Sequence, residues 1–379
     1  MRRVTGERLT LVVLGLSLSS SWGNGHATTY RALLKAFAER GHDVLFLERD
    51  VPWYAAHRDL VAPDFCRLEL YPDLGAIEDW RDAIAAADAV IVGSYVPEGI
   101  EVGRLVQDWA TGVRAFYDID TPVTLAKLDA GDAEYLTPEL IPGYDLYLSF
   151  TGGPTLNRLE VEYGSPAARA LYCCVDPDLY PATRRKPRWD LSYLGTYSPD
   201  RQPGLETLLL EPARRAPHLR FCVAGPQYPD GFEWPANVER IPHVPPAEHA
   251  AFYARSRFTL NLTRADMVRA GYSPSVRLFE AAATATPVLS DPWAGLDTLF
   301  VPNREILIAE TGNDVLAALS ALQEPQRQAL GHAARTRVLA AHTARHRAAE
   351  LDGHLRHVRR ERSKPPRRQP AFPTHPSMA

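Results

Sequence analysis

Apolar and polar positions fall into blocks whose period switches along the chain. Residues 9–18 are a short, continuous apolar run bounded by Ser and Gly, the pattern of a strand buried on both faces. Beyond a Gly-Asn-Gly-His turn, Tyr30, Leu33, Leu34 and Phe37 recur at i, i+3, i+4 and i+7, one face of a helix that Gly41 ends. Residues 43–50 (DVLFLERD) read as a second buried strand, charged only at its end. Strand, helix and strand in this order predict a parallel pair with a right-handed crossover. The rhythm continues with strands at 87–95, 113–120, 144–151 and 168–175, and helices around 77–86 and 101–110. At 176–190, three Pro and four basic residues without periodicity read as a linker. Strands then resume at 191–198, 219–226, 237–244, 256–264 and 287–291, with helices at 203–216 and 275–286 and Ala- and Arg-rich helices over 313–358. From residue 359 the chain is basic and Pro-rich, and is expected to be disordered. The fold class is α/β: two open parallel-sheet halves facing a cleft, over 1–180 and 181–345, followed by a helix end and tail over 346–379.

Composition narrows the function. A formal net charge of -4 argues against a general nucleic-acid binder. The basic tail is expected to be solvated, with a weak contact to an anionic membrane surface as its other reading. Cys66, Cys173, Cys174 and Cys222 have no Cys-x-x-Cys spacing, so reduced thiols and a cytoplasmic protein are expected rather than a zinc site. Arg2 and Arg3 before the first apolar run imitate a signal peptide, but Glu7 and Arg8 abut the run and a helix follows it. A buried first strand is the expected reading.

Ligands of open parallel sheets bind at the carboxyl ends of strands, so those loops hold the candidate chemistry. The opening loop gives Gly23, Gly25 and then Thr28, one glycine short of a dinucleotide fingerprint. Gly23, Asn24 and Gly25 can still bring backbone close to a ligand, with His26 either capping the helix or facing the site. Glu48 could hold a ribose. Asp118 and Asp120 follow a strand, and three readings stay open: a metal pair, cleft-facing carboxylates acting as base or acceptor ligand, or a structural Asp-Thr-Pro turn. Trp22, Trp53 and Tyr54 could stack on a sugar ring or pack at the rim. His243 lies at a strand end where a nucleotide base could sit. The most informative stretch is 258–300. A strand ends at Asn261–Arg264, and the turn Gly271-Tyr272-Ser273-Pro274-Ser275 opens a helix whose N-terminus suits a diphosphate. Arg264 and Arg277 could add charge there. The competing reading is N-capping by Ser273 or Ser275, with solvent-facing arginines.

The stretch RLFEAAATATPVLSDPWAGLDTLFVPNREILIA resembles the donor-binding domain of GT-B glycosyltransferases, and most of all the spore-maturation CgeB-like group. SSSWGNGHATTYRALLKAFAERGHDVLFLERDVPWY, FYDIDTPVTLAKLDAGDAEYL, DLSYLGTYSPDRQ and VAGPQYP extend the likeness over most of residues 10–310. The resemblance implies two Rossmann-like domains, the first binding an acceptor and the second a nucleotide diphosphate sugar. Retaining transferases of this fold carry Glu-x7-Glu. Glu280 falls on the second Glu, which binds the nucleotide ribose. Tyr272 stands where the first Glu, which touches the donor sugar, should be. The backbone over 273–276, including Ser273 and Ser275, matches the diphosphate cradle. Gly195, Thr196 and Arg201 match the phosphate-side loop after the first strand of the donor domain. Thr284-Ala285-Thr286-Pro287 departs mildly from the family's Cys-Gly before Pro. His26, Asp118 and Asp120 are the catalytic candidates, and Gly23, Asn24 and Gly25 the acceptor loop. The implied reaction is hexosyltransferase-like, with neither metal nor cofactor, toward an acceptor that is a glycan, lipid, protein or small molecule. A sugar-nucleotide epimerase of the same fold and a non-catalytic sugar-nucleotide sensor are the alternatives.

Overall fold

The apolar runs become the interior strands of two sheets. The computed structural model describes residues 7–23, 25–183 and 185–364. In the first half, β1 (Thr10–Gly15), β2 (Asp43–Arg49), β3 (Arg67–Tyr71), β4 (Ala89–Gly93), β5 (Val113–Asp118), β6 (Leu146–Ser149) and β7 (Ala168–Ala170) form one sheet in the order β3-β2-β1-β4-β5-β6-β7. Every pairing in it is parallel. In the second half, β8 (Trp189–Leu194), β9 (Phe221–Ala224), β10 (Val238–Ile241), β11 (Ser256–Asn261), β12 (Val288–Ser290) and β13 (Leu307–Ile308) pair in parallel in the order β10-β9-β8-β11-β12-β13. Strand order reverses at β1/β4 and again at β8/β11, the switch points where such sheets leave a crevice. The two crevices face each other.

Leu11, Val12, Val13 and Leu14 of β1 are all at most 4% exposed, because helices cover both faces of the sheet. The expected strand β1 stops at Gly15, so residues 16–18 belong to the loop. β3 escaped the sequence reading. It is the edge strand, its residues RLEL are only partly buried or exposed, and no apolar run marks it. A 3-10 helix, Leu74–Trp80, replaces part of the helix expected at 77–86. The helix over 202–215 contains a π-helical stretch, Glu206–Leu210.

The end of the chain corrects two expectations. The helix Ala344–Arg362 continues through the start of the expected disordered tail. It also returns to the first half, where Ala344, Ala348, Leu351, Leu355 and Val358 join the core made by β1 and the helix His26–Glu39. Its basic residues are tied to that domain and not merely solvated. Arg359 pairs with Asp88 at 3.1 Å and Arg362 with Asp145 at 2.8 Å. The rest of the basic tail, from residue 365, lies outside the described residues. All four cysteines are free.

Candidate active site

A cleft of about 510 Å³ opens between the carboxyl ends of the two sheets. The first domain contributes Leu16, Ser21, Gly23, Gly25, His26, Thr28, Tyr54, Tyr95 and Asp120. The second contributes Gly195, Thr196, Arg201, Gly225, His243, His249, Arg264, Arg277 and Glu280, among others. The volume is that of a small-molecule site. Most of the residues singled out from sequence are thus brought together. Asn24 lies outside the described residues.

The donor-side wall is anchored by Glu280, in the helix Val276–Ala283. The residue is 2% exposed. Tyr180 Oη donates to Oε1 at 2.7 Å, Tyr253 Oη donates to Oε2 at 3.2 Å, and His249 Nδ1 lies 3.6 Å from Oε2. Burial opposes ionisation, but the contacts from His249, Tyr180 and Tyr253 prevail and hold the carboxyl below the usual glutamate range. Conversely, burial would neutralise His249, and the neighbouring carboxylate overcomes it and raises the imidazole above its ordinary value. The other ring nitrogen, Nε2, meets the Val244 carbonyl at 3.2 Å, which fixes the ring. None of these three partners was singled out from sequence. Tyr180 sits in the stretch read as a linker, and His249 on a short helix with no motif around it.

Among the described residues, Arg201 Nε, Arg264 Nε and His26 Nδ1 are buried cleft atoms without a hydrogen-bond partner, although Arg264 Nε forms a longer ion pair with Asp200. Arg201 is oriented by donating through Nη2 to the Thr196 carbonyl at 2.8 Å. Arg264 reaches between the domains, 3.6 Å from Asp200 and 4.0 Å from Asp120. Arg277 is buried rather than solvent-facing. It donates through Nε to the Leu194 carbonyl and through Nη1 to Asn261 Oδ1, and lies 4.9 Å over the Tyr193 ring, so both of these nitrogens serve the wall itself. Ser275 donates to the same Asn261 oxygen at 2.7 Å and makes no side-chain cap bond.

On the opposite wall, His26 opens its helix and meets Tyr95 edge-on at 5.5 Å. Burial lowers its pKa, with nearby Asp120 acting in the opposite sense. Asp118 and Asp120, adjacent in sequence, separate in space. Asp118 is fully buried and does not line the cleft. It accepts from Tyr147 Oη at 2.6 Å, Thr124 Oγ1 at 3.0 Å and the Asp120 N–H at 3.1 Å. Burial pushes its carboxyl up to about 6. The pair therefore resolves into a structural Asp118 and a cleft-facing Asp120.

Three further expectations change. Glu48 accepts from the Leu18 and Ser19 N–H groups and the Ser17 and Ser19 hydroxyls, so it fastens the loop after β1 rather than waiting for a ribose. Tyr272 does not line the cleft. Its ring lies between Gly153 of the first domain and Gly295 of the second. A Cβ at either glycine would come within 2.3 and 2.4 Å of the ring. The Tyr272 carbonyl accepts from the Gly152 N–H at 3.0 Å. Ser273, beside it, bonds Thr151 Oγ1 at 2.6 Å and donates to the Gly271 carbonyl. The turn expected to touch the donor thus clamps the two domains together at this point. Among the described residues, no group of three or more His, Cys, Asp or Glu side chains is gathered as a metal would require.

Comparison with known proteins places this fold in a class. Residues 201–353 match the model of the glycosyl transferase-like family, a span that includes Arg201, His249, Arg264, Arg277 and Glu280. An α-glucosyltransferase solved with UDP-glucose and DNA containing an abasic site is similar in structure, with TM-score 0.69 and 12% identity over 92% of this chain and 100% of that one. Sucrose-phosphate synthase from Thermosynechococcus elongatus aligns with TM-score 0.68 and 14% identity over 93% and 99%. HepE from Anabaena, solved with UDP and glucose, aligns with TM-score 0.67 and 10% identity over 92% and 100%. None of the curated proteins matches the chain. The fold is GT-B: two parallel-sheet Rossmann-like domains, the second carrying a glycosyl transferase-like domain.

Proposed function

We propose that this protein is a glycosyltransferase that moves a sugar from a nucleotide diphosphate sugar to an acceptor hydroxyl. The observation that carries this is the convergence, in one interdomain cleft, of Arg201, whose buried Nε has no hydrogen-bond partner among the described residues, Arg264, whose Nε is paired with Asp200 at 3.6 Å, and one ionised, buried Glu280. A buried donor without a partner costs about 1–3 kcal/mol. A diphosphate supplies the missing acceptor to Arg201 and a closer one to Arg264. Glu280 then accepts from the ribose hydroxyls, as the family resemblance implies. During transfer the bond from the sugar C1 to the phosphate oxygen breaks, and the arginines meet the charge left on the diphosphate. The acceptor oxygen bonds to C1, and its proton passes to the neutral His26 imidazole, with Asp120 beside it stabilising the cation formed. This route needs no bound metal.

The test is release of nucleoside diphosphate from UDP-glucose, UDP-N-acetylglucosamine, GDP-mannose and dTDP-glucose, for wild type and for Arg201→Ala. Release from one donor that falls at least about tenfold in the variant supports the reading. A non-catalytic sugar-nucleotide binder is the second reading, favoured by Tyr272 leaving the cleft without the family's first carboxylate. It predicts binding with no release from any donor.

A further inference from the structure

Resting on the glycosyltransferase reading, we infer that Tyr95 is a positioning residue for transfer: its ring holds the His26 imidazole in a fixed orientation at the acceptor side of the cleft. Tyr95 lines the cleft together with His26 and Asp120. Its backbone is left-handed, with φ of 61°. A residue with a side chain adopts that conformation at a cost, so it persists only where the surroundings impose it, and such residues gather at functional sites. Here the preceding residue is tied to β5 twice. The Ser94 N–H donates to the Tyr117 carbonyl at 3.1 Å, and the Ile119 N–H donates to Ser94 Oγ at 3.1 Å. The chain must turn directly after Ser94, and the turn sets Tyr95 in the cleft wall.

The ring is braced from within the first domain. It packs on Tyr135, with centroids 4.6 Å apart and planes 47° from parallel, and Lys127 Nζ lies 5.9 Å over it. Tyr135 is buried, and its hydroxyl lies 2.6 Å from Thr124 Oγ1, which donates to Asp118 at 3.0 Å. The buried Asp118, which does not line the cleft, thus anchors the brace behind Tyr95. The ring so held meets His26 edge-on, at 5.5 Å between centroids and 80° between planes.

His26 needs such a hold. Its Nδ1 is buried and has no hydrogen-bond partner among the described residues, so no bond at that atom orients the ring. The charged group that acts on it is Asp120, whose carboxylate lies 4.0 Å from Arg264. Contact with the Tyr95 ring fixes the imidazole and keeps water from it, and burial of this kind favours the neutral form that can take a proton. Displacing a base by about 1 Å costs on the order of 100-fold in rate.

The experiment uses the full chain with Tyr95→Phe, Tyr95→Asn and Tyr95→Gly. Asn and Gly tolerate left-handed backbone, so they remove the ring without adding strain, and each is read in the same way. Heteronuclear NMR follows the His26 imidazole, assigned by the signal lost in His26→Gln. In wild type and Tyr95→Phe it is expected to titrate below its ordinary value of about 6.5. In the two ringless variants the midpoint should rise toward that value by about 0.5 or more, as water reaches the ring. The second readout is release of nucleoside diphosphate to water, from whichever of the four donors above wild type turns over. In the ringless variants kcat should fall about tenfold or more while the donor KM stays within about twofold, and Tyr95→Phe should restore both. The inference is overturned if the His26 titration of the ringless variants matches wild type, if Tyr95→Phe loses as much turnover as they do, or if the loss lies in KM and not in kcat. No release from any donor by wild type would instead overturn the glycosyltransferase reading, and the His26 titration still decides whether Tyr95 holds the ring.

Discussion

Replacing Glu280 separates its two duties, holding the wall together and binding a nucleotide. Glu280→Gln removes the charge but keeps one oxygen that can accept from a tyrosine hydroxyl. A hydrogen bond to a charged group is worth about 1.5–3 kcal/mol. The loss should weaken UDP binding by roughly 10- to 150-fold. Glu280→Ala does more. It strands the Tyr180 and Tyr253 hydroxyls and the His249 imidazole in a buried site. Breaking a buried charge pair from one side costs about 3–5 kcal/mol. That corresponds to a drop of roughly 6–20 °C in Tm for a domain of this size. Calorimetric titration gives the affinities and scanning fluorimetry the midpoints. Unchanged UDP affinity in a folded Glu280→Gln protein would refute the reasoning and place the nucleotide elsewhere.

The remaining predictions follow from the same contacts. His249 has a raised pKa through Glu280, so its contribution to stability is complete below its ordinary value of about 6.5 and is lost as pH rises through the higher folded value. The Tm of wild type should therefore fall across that window more than that of His249→Gln, and parallel curves would contradict the pairing. Asp118, raised to about 6, penalises the fold increasingly between its ordinary value and about 6, so Asp118→Asn should make stability rise more steeply with pH over that window than in wild type and keep turnover within several-fold. Asp120→Asn should cost turnover far more, and equal losses would return Asp118 to the chemistry. Gly153→Ala puts a Cβ into the Tyr272 ring at a residue with φ of 60°, and overpacking with left-handed backbone strain should cost about 2–5 kcal/mol, read as a lowered Tm. Leu351→Ala, in the returning C-terminal helix, should destabilise the first domain by about 2–5 kcal/mol, measured by urea unfolding with a probe in that domain.

How much of this was legible in sequence depended on what each residue's partners were. The interior strands were readable because burial on both faces leaves an unbroken apolar run, as in β1 and β4. β3 was not, since an edge strand with residues such as Arg67 and Glu69 has no such signature. The docking of the final helix on the first domain was hidden because the heptad-like spacing of Leu351, Leu355 and Val358 says only that one face is buried, not against what. At the site, chain punctuation located the loop that holds His26, and the resemblance to GT-B enzymes marked Arg201 and Glu280. Whether a carboxylate faces ligand or protein was not encoded locally. Asp118 and Asp120 differ only by the side of the backbone they leave, and Glu48 is consumed by serines 29 to 31 residues away. Tyr180 and His249 became visible only when folding placed them 100 residues and 31 residues from Glu280 in sequence against its two oxygens.

The central claim is that a nucleoside diphosphate sits in the cleft against Arg201, Arg264 and Glu280. Calorimetric titration of the full chain with UDP, GDP, dTDP and NAD, each with magnesium and with EDTA, tests it most directly, with Arg201→Ala and Arg264→Ala titrated beside the wild type. Binding of one nucleoside diphosphate that is indifferent to magnesium and at least about tenfold weaker in each arginine variant, as loss of a charge-assisted contact requires, is the predicted result. Binding of NAD alone, or of a nucleoside diphosphate with equal affinity in all three proteins, would contradict it.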